Sequence, residues 1–209
     1  TSLQPAAIVG GTFGAINAAN LTNLNATALT SGTVPDARFP ATLPAISGAN
    51  LTNLPAGGIE NITTFRLTTD FTMGTSAQIT SNLSVGGAQL GTAVSNSSGT
   101  FSFPQTGFWK IEGNLYINRI QGNSAYVGLI FNSTSNNSTY TNLIQNYTNI
   151  YDFTNEHSFV YATAILDVTD VSNVKVRMNY ESENANNVNV QGAGNQDRTY
   201  IRFIRLGAT

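Results

Sequence analysis

Apolar and polar side chains alternate along residues 108–118. Trp109, Ile111, Leu115 and Ile117 share the odd positions, and charged or amide side chains fill most of the even positions. A period of two is the spacing of a β-strand with one buried face and one polar face. The pattern therefore predicts a strand here and places Trp109 in the core.

Turn-rich pieces separate further stretches of this kind. The predicted strands lie near residues 64–71, 124–132, 140–148, 157–168, 173–181 and 198–206. Many short strands without helices are typical of a sandwich or barrel. The sequence thus predicts an all-β head over residues 62–209.

Two of these strands, at 126–131 and 159–166, are apolar on both faces. A monomeric sandwich has a polar outer face, so a subunit contact is the natural second cover for such strands. The sequence predicts that a trimer core is formed by side chains from both strands: Tyr126, Leu129, Phe131, Phe159 and Tyr161.

The first 61 residues have a different pattern. They hold five of the six prolines, and the segment at 20–24 recurs unchanged at 50–54. Apolar residues step by five, which fits neither helix nor strand. One apolar residue in five offers little burial to a single chain, so we predict an extended, intertwined repeat stalk, with a disordered linker as the alternative. The predicted stalk core consists of Leu24, Leu29, Val34, Phe39 and Leu51.

Composition narrows the possible partners. Charged residues make up 10% of the chain and the net charge is −2, so no basic field attracts nucleic acid or anionic lipid. The sequence has no cysteine and no apolar run as long as a membrane span. Asn and Thr supply about a quarter of the residues, which favours binding by hydrogen bonds. The first residues lack Met and a basic region, which suggests a piece of a longer protein.

Catalytic chemistry has few candidates. His157 is the only histidine, and its polar setting beside Ser158 indicates the start of a strand rather than a triad. Glu181 and Glu183 share a strand face if the strand continues that far. Such a pair suits glycoside hydrolysis or a weak calcium site, although the same pair at a strand end is more often a solvated rim. We expect no enzyme activity and no cofactor, with calcium as the one candidate ion.

A motif in the middle of the chain resembles the complement-head and tumour-necrosis-factor-like jelly rolls. The residues that carry the resemblance are Asn96, Phe101, Phe103, Pro104, Gly107, Trp109 and Ile111. The family usually has Tyr and Phe where this chain has Trp109 and Ile111. The closing strand at 199–206 is similar to that of the family, and the likeness covers residues 63–209. The resemblance implies a ten-stranded jelly-roll head.

The repeats before residue 61 are similar to those of fibres on tailed bacteriophages, especially those of marine and cyanobacterial hosts. Together the two resemblances imply a homotrimeric fibre on the virion surface, outside the cell. Its expected partners are other virion proteins and a host cell-surface glycan or protein. A capsid-attached decoration fibre, an extracellular trimeric interaction module and a polysaccharide-degrading tailspike remain alternatives.

The receptor site is predicted on loops, where a rigid scaffold presents binding residues. The Asn/Thr/Tyr-rich stretch from 132 to 155 and the loop from 184 to 195 are the candidates. Tyrosine rings offer flat apolar faces to sugars, and amides offer donors and acceptors. The proposed contact residues are Asn136, Asn137, Tyr140, Asn142, Tyr147, Tyr151, Asn186 and Asn187. A core or trimer-axis position for Tyr140 and Tyr147 is the alternative.

Overall fold

The computed structural model describes residues 58–122, 124–151 and 156–209, and these ranges form thirteen strands. The strands are β1 (Ile62–Leu67), β2 (Phe71–Thr72), β3 (Ser76–Gln78), β4 (Leu83–Leu90), β5 (Ser95–Ser97), β6 (Thr100–Ser102), β7 (Gly107–Arg119), β8 (Ser124–Thr134), β9 (Thr141–Ile150), β10 (His157–Val168), β11 (Lys175–Ser182), β12 (Val188–Val190) and β13 (Tyr200–Gly207). The predicted stalk core at positions 24, 29, 34, 39 and 51 lies outside the described residues.

The strands pair antiparallel in two sheets. The seven-stranded sheet has the order β2-β12-β7-β13-β1-β4, with β10 on the other edge of β7. The six-stranded sheet has the order β5-β6-β11-β8-β9, and β3 also pairs with β11. Apart from the consecutive pairs β5–β6 and β8–β9, neighbours in the sheets come from distant parts of the chain, which is typical of Greek-key sandwiches.

The core lies between the two sheets and contains a chain of aromatic contacts. Phe101 stands between Phe65 and Phe203, with ring centroids 5.1 and 5.0 Å away, and Phe103 connects Phe203 to Trp109. The side chain of Trp109 is fully buried, as the period-two pattern of β7 predicts. The aromatic residues of the sequence motif therefore lie at the centre of the head.

The long strands β7 to β11 and β13 lie close to their predicted positions, whereas the number of strands differs. Thirteen strands occur in the described ranges instead of ten, and five of them, β2, β3, β5, β6 and β12, are pieces of two or three residues. Such short pieces carry no periodicity. The strand β4 was not predicted either, because Gly86 and Gly87 interrupt its pattern.

The two doubly apolar strands are covered in different ways. Leu129 and Phe131 are fully buried between the sheets of a single chain, which corrects their predicted place in a trimer core. Tyr126 is exposed on the outer face of the six-stranded sheet, and Phe159 and Tyr161 are exposed on the outer face of the other sheet. The residues predicted for the trimer core therefore lie in three separate places: the interior of the head and the outer face of each sheet.

No helix in the described ranges has the length and hydropathy of a membrane span.

Candidate functional site

An exposed apolar face lies on β10, at the edge of the seven-stranded sheet. Phe159 and Ile165 are each 62% exposed, and Tyr161 between them is also exposed. We call these three residues the β10 face. The alternate residues of the strand, including Val160 and Ala162, point into the core. The strand β10 therefore has apolar side chains on both of its faces, although only one face packs against the core.

A buried carboxylate lies beside the β10 face. Glu112 on β7 accepts hydrogen bonds from the Tyr161 hydroxyl at 3.1 Å and from Arg202 on β13 at 3.1 Å. The Lys110 ammonium lies 2.6 Å from Oε2 of Glu112, the same oxygen that accepts from Tyr161, whereas Arg202 donates to Oε1. Burial alone raises the pKa of Glu112, but the hydrogen bonds from Lys110 and Tyr161 and the charges of Lys110 and Arg202 outweigh it and hold the pKa below its ordinary value of 4.5.

This ion cluster predicts a pH-dependent stability. A carboxyl whose pKa is depressed by folding stabilises the folded state above its unfolded pKa, and the effect disappears as the pH falls through the folded pKa. We expect Glu112→Gln to lower the free energy of unfolding by roughly 1–3 kcal/mol at pH 7, since it removes charge-assisted hydrogen bonds. Urea unfolding of both proteins should give curves that converge as the pH falls below 4.5. A difference that stays constant down to acidic pH would contradict this assignment.

A second candidate is an aromatic cleft on the outer face of the six-stranded sheet. Gly128 on β8 pairs with Tyr147 on β9 and with Glu181 on β11, so the three residues form one row across the sheet. Tyr126 lies two residues before Gly128 and therefore shares its face. Tyr126, Tyr147 and Glu181 line a cleft of about 370 Å³, which we call the tyrosine cleft.

The Tyr147 ring fits in this row because the middle position, Gly128, has no side chain. A Cβ on Gly128 would lie 2.5 Å from the Tyr147 ring, so any larger residue would displace the ring. The hydroxyl of Tyr147 donates a hydrogen bond to Oε2 of Glu181 at 3.1 Å. Burial and this hydrogen bond raise the pKa of Tyr147, so the ring remains neutral and its hydroxyl remains a donor. The Tyr126 and Tyr147 rings stand at 88° with centroids 5.7 Å apart.

The predicted contact Asn136 has a structural role in its loop. Its Oδ1 accepts hydrogen bonds from the Thr134 hydroxyl, from the backbone and hydroxyl of Ser138, and from the Thr139 backbone, all at 2.9–3.1 Å. Asn137 adopts a φ of +55° in the same turn, where asparagine is one of the few favoured residues. Asn136 therefore holds the turn with its oxygen and leaves only its amide nitrogen for a partner.

The other predicted contacts are scattered over the head. The guanidinium of Arg177 lies 3.6 Å from the centroid of the Tyr140 ring and covers that face. Asn142 donates to the Gln145 side chain. Tyr151 is exposed and lies just after β9. The predicted loop site therefore does not form one cluster.

The loop before β12 makes contacts through its backbone. Asn186, at a φ of +66°, donates its N–H to the Met73 carbonyl, and the Asn187 carbonyl accepts from Ile120 at 2.8 Å. These contacts fix the loop on the seven-stranded sheet. The pair is separate from the tyrosine cleft, which contains Tyr147 alone among the predicted receptor residues.

The candidate catalytic and metal-binding residues His157, Glu181 and Glu183 each contact a different partner. His157 begins β10 as predicted, and its ring stacks on Tyr116 with centroids 5.7 Å apart. Glu183 accepts a hydrogen bond from the backbone of Ala125 at 2.6 Å, whereas Glu181 faces Tyr147. In the part of the chain that the structure describes, no group of three or more His, Cys, Asp and Glu residues is placed to hold a metal ion.

Sequence and structure comparisons give information on the fold. No protein-family model matches the chain, and no curated protein matches its sequence. Crystal structures of murine APRIL at pH 8.5 and at pH 5.0 have TM-scores of 0.50, with 6% and 7% identity, and each match covers 70% of this chain and 98% of that chain. The structure of Eiger TNF from S. frugiperda has a TM-score of 0.49 and 10% identity over 71% of this chain and 93% of that chain.

The likeness to the APRIL structures, at such low identity, is a likeness of fold alone. It supports the jelly-roll fold that the motif around Pro104 predicts for the head. Function must be argued from the surfaces of this chain.

Proposed function

We propose that this chain is a structural fibre protein of a virion, that it forms a homotrimer, and that its jelly-roll head binds the host cell surface. The observation that carries the proposal is the β10 face. Phe159 and Ile165 leave most of their apolar surface to solvent in a single chain. Soluble proteins rarely expose such a patch unless it contacts a partner, and a second and third copy of the same chain are the simplest partners.

The repeats in the first 61 residues support the virion part of the proposal. Their step of five gives each chain too little apolar surface to fold alone, so assembly around one axis is the natural way to bury it. A trimer also explains how a head with weak sites attaches firmly. Several heads that bind together multiply millimolar contacts into stable avidity.

Sedimentation and adsorption test the proposal together. We expect the full chain to sediment at three times its own mass at micromolar concentration. The purified trimer should compete with virus particles for adsorption to host cells. A stable monomer would overturn the assembly, and a trimer that neither binds cells nor blocks adsorption would overturn the attachment role.

A capsid decoration fibre is the alternative within the same fold. Electron microscopy of whole particles labelled through the head separates the two, because an attachment fibre lies on the tail and a decoration fibre on the capsid.

A further inference from the structure

The tyrosine cleft contains a carboxylate that lacks a cation. Glu181 is half-buried, and the Tyr147 hydroxyl is its hydrogen-bond partner. Three carboxylates of the described head form ion pairs: Glu112 contacts Lys110 and Arg202, Asp197 contacts Arg66, and Glu60 contacts Arg205. In the described ranges no ion pair includes Glu181.

The same sheet face also shows how this chain treats an aromatic ring when it supplies the cation itself. Arg177, on the same strand as Glu181, places its guanidinium 3.6 Å from the centre of the Tyr140 ring. A cation is attracted to the negative face of an aromatic ring, and the attraction grows when water is excluded. Tyr126 and Tyr147 have no such internal cation among the described contacts, although they stand beside an unneutralised carboxylate.

We infer that the tyrosine cleft binds an organic ammonium group, either quaternary as on choline or primary as on an amino sugar, carried by a molecule on the host surface. This inference rests on the proposed attachment function and names the chemistry of its ligand. Tyr126 and Tyr147 supply two ring walls at nearly a right angle, and Glu181 supplies the negative charge. Aromatic walls with a nearby negative charge are a recurrent way to hold an ammonium group.

The shape of the cleft favours a small headgroup over a metal ion or a protein surface. A volume of about 370 Å³ lined by three side chains accommodates one such group. Calcium takes six to eight oxygen ligands, and a single carboxylate with one phenol falls far short. A neutral sugar would stack on the rings but would leave the charge of Glu181 uncompensated.

Saturation-transfer NMR on the full trimeric chain tests the inference. Choline and glucosamine are the probes, and glucose and N-acetylglucosamine are their neutral controls. We expect saturation transfer to the methyl groups of choline or to the ring protons of glucosamine at millimolar concentration, and none or much less to the neutral sugars. The stronger of the two probes identifies the quaternary or the primary source.

Three variants connect the signal to the cleft. Glu181→Gln keeps the size of the side chain and removes its charge, so it should weaken binding at least roughly tenfold. Tyr147→Ala removes one wall and should abolish the signal. Gly128→Ala keeps all three lining side chains but displaces the Tyr147 ring, so it should also weaken binding. Glu183→Gln is the matched control, because that carboxylate caps the Ala125 backbone and should leave binding unchanged.

Several results would overturn the inference. One is saturation transfer that is equal for charged and neutral sugars, which would make the cleft a neutral-glycan site. Another is an unchanged signal in Glu181→Gln. Loss of the trimer in Tyr147→Ala, measured by sedimentation, would show that a second copy of the chain covers the cleft. Each of these outcomes is distinct from failure of the proposed function, which appears as a monomeric or non-adsorbing wild-type chain.

Discussion

Replacing Trp109 by alanine is expected to lower the free energy of unfolding of the head by about 3–5 kcal/mol, the usual cost of truncating a large aromatic side chain in a core. Trp109 is fully buried, its ring centroid is 5.1 Å from that of Phe103, and its indole nitrogen donates to the Gln105 carbonyl at 3.3 Å. The truncation therefore removes apolar burial, a ring contact and a partly buried hydrogen bond, and it leaves a cavity between the sheets.

Urea unfolding followed by circular dichroism measures this change at a fixed protein concentration, because assembly makes apparent stability depend on concentration. Phe108→Ala is the matched control, since Phe108 is the preceding residue on β7 and is exposed on the opposite face. It should cost much less than Trp109→Ala. If both substitutions lower the free energy of unfolding by the same amount, Trp109 does not stabilise the core more than an exposed aromatic residue does.

The core was predictable because its strands contain apolar residues at every second position, and this spacing directly indicates a buried strand face. In β7 the apolar residues recur every second position, and a strand places such residues on one face whatever its neighbours are. The start of β10 at His157 was also predictable, because a polar segment there is followed by a long apolar run. Local pattern and final structure agree where burial on one face decides the conformation.

The tyrosine cleft was not predictable from the sequence. Tyr126, Tyr147 and Glu181 lie on three strands, and they meet only because the register aligns Gly128 with both partners. Strand register depends on long-range pairing that periodicity does not encode. Gly128 was the available signal, because a glycine inside an apolar strand often marks a close approach. Sequence reasoning therefore assigned the three lining residues to three different roles.

The asparagine-rich loop shows a different limit. Composition identified Asn136 as a binding residue, but its oxygen holds four hydrogen bonds within its own turn. Asparagine suits both tasks, since its side chain can cap a local backbone turn as readily as it can bind a ligand. Residue type alone does not separate the two, and only the partner atoms do.

Substituting both Phe159 and Ile165 by aspartate is expected to convert the trimer into a folded monomer. Burying one large apolar side chain contributes about 1.5–3 kcal/mol, and each of the three chains would lose two such contacts and gain two charges at the interface. Both side chains are 62% exposed in a single chain and point away from its core, so the substitutions should leave the fold of each head intact. Sedimentation should show monomers, and circular dichroism should show an unchanged β-sheet spectrum.

Val85→Asp provides the control for this double substitution. Val85 is an exposed apolar residue on β4, the edge strand at the other side of the same sheet. It therefore adds a charge to a comparable surface away from the β10 face, and the trimer should persist. If the Val85 variant dissociates and the double variant does not, the subunits pack through the β4 edge. In that case the β10 face would not be the subunit interface, and the observation on which the proposed assembly rests would be overturned.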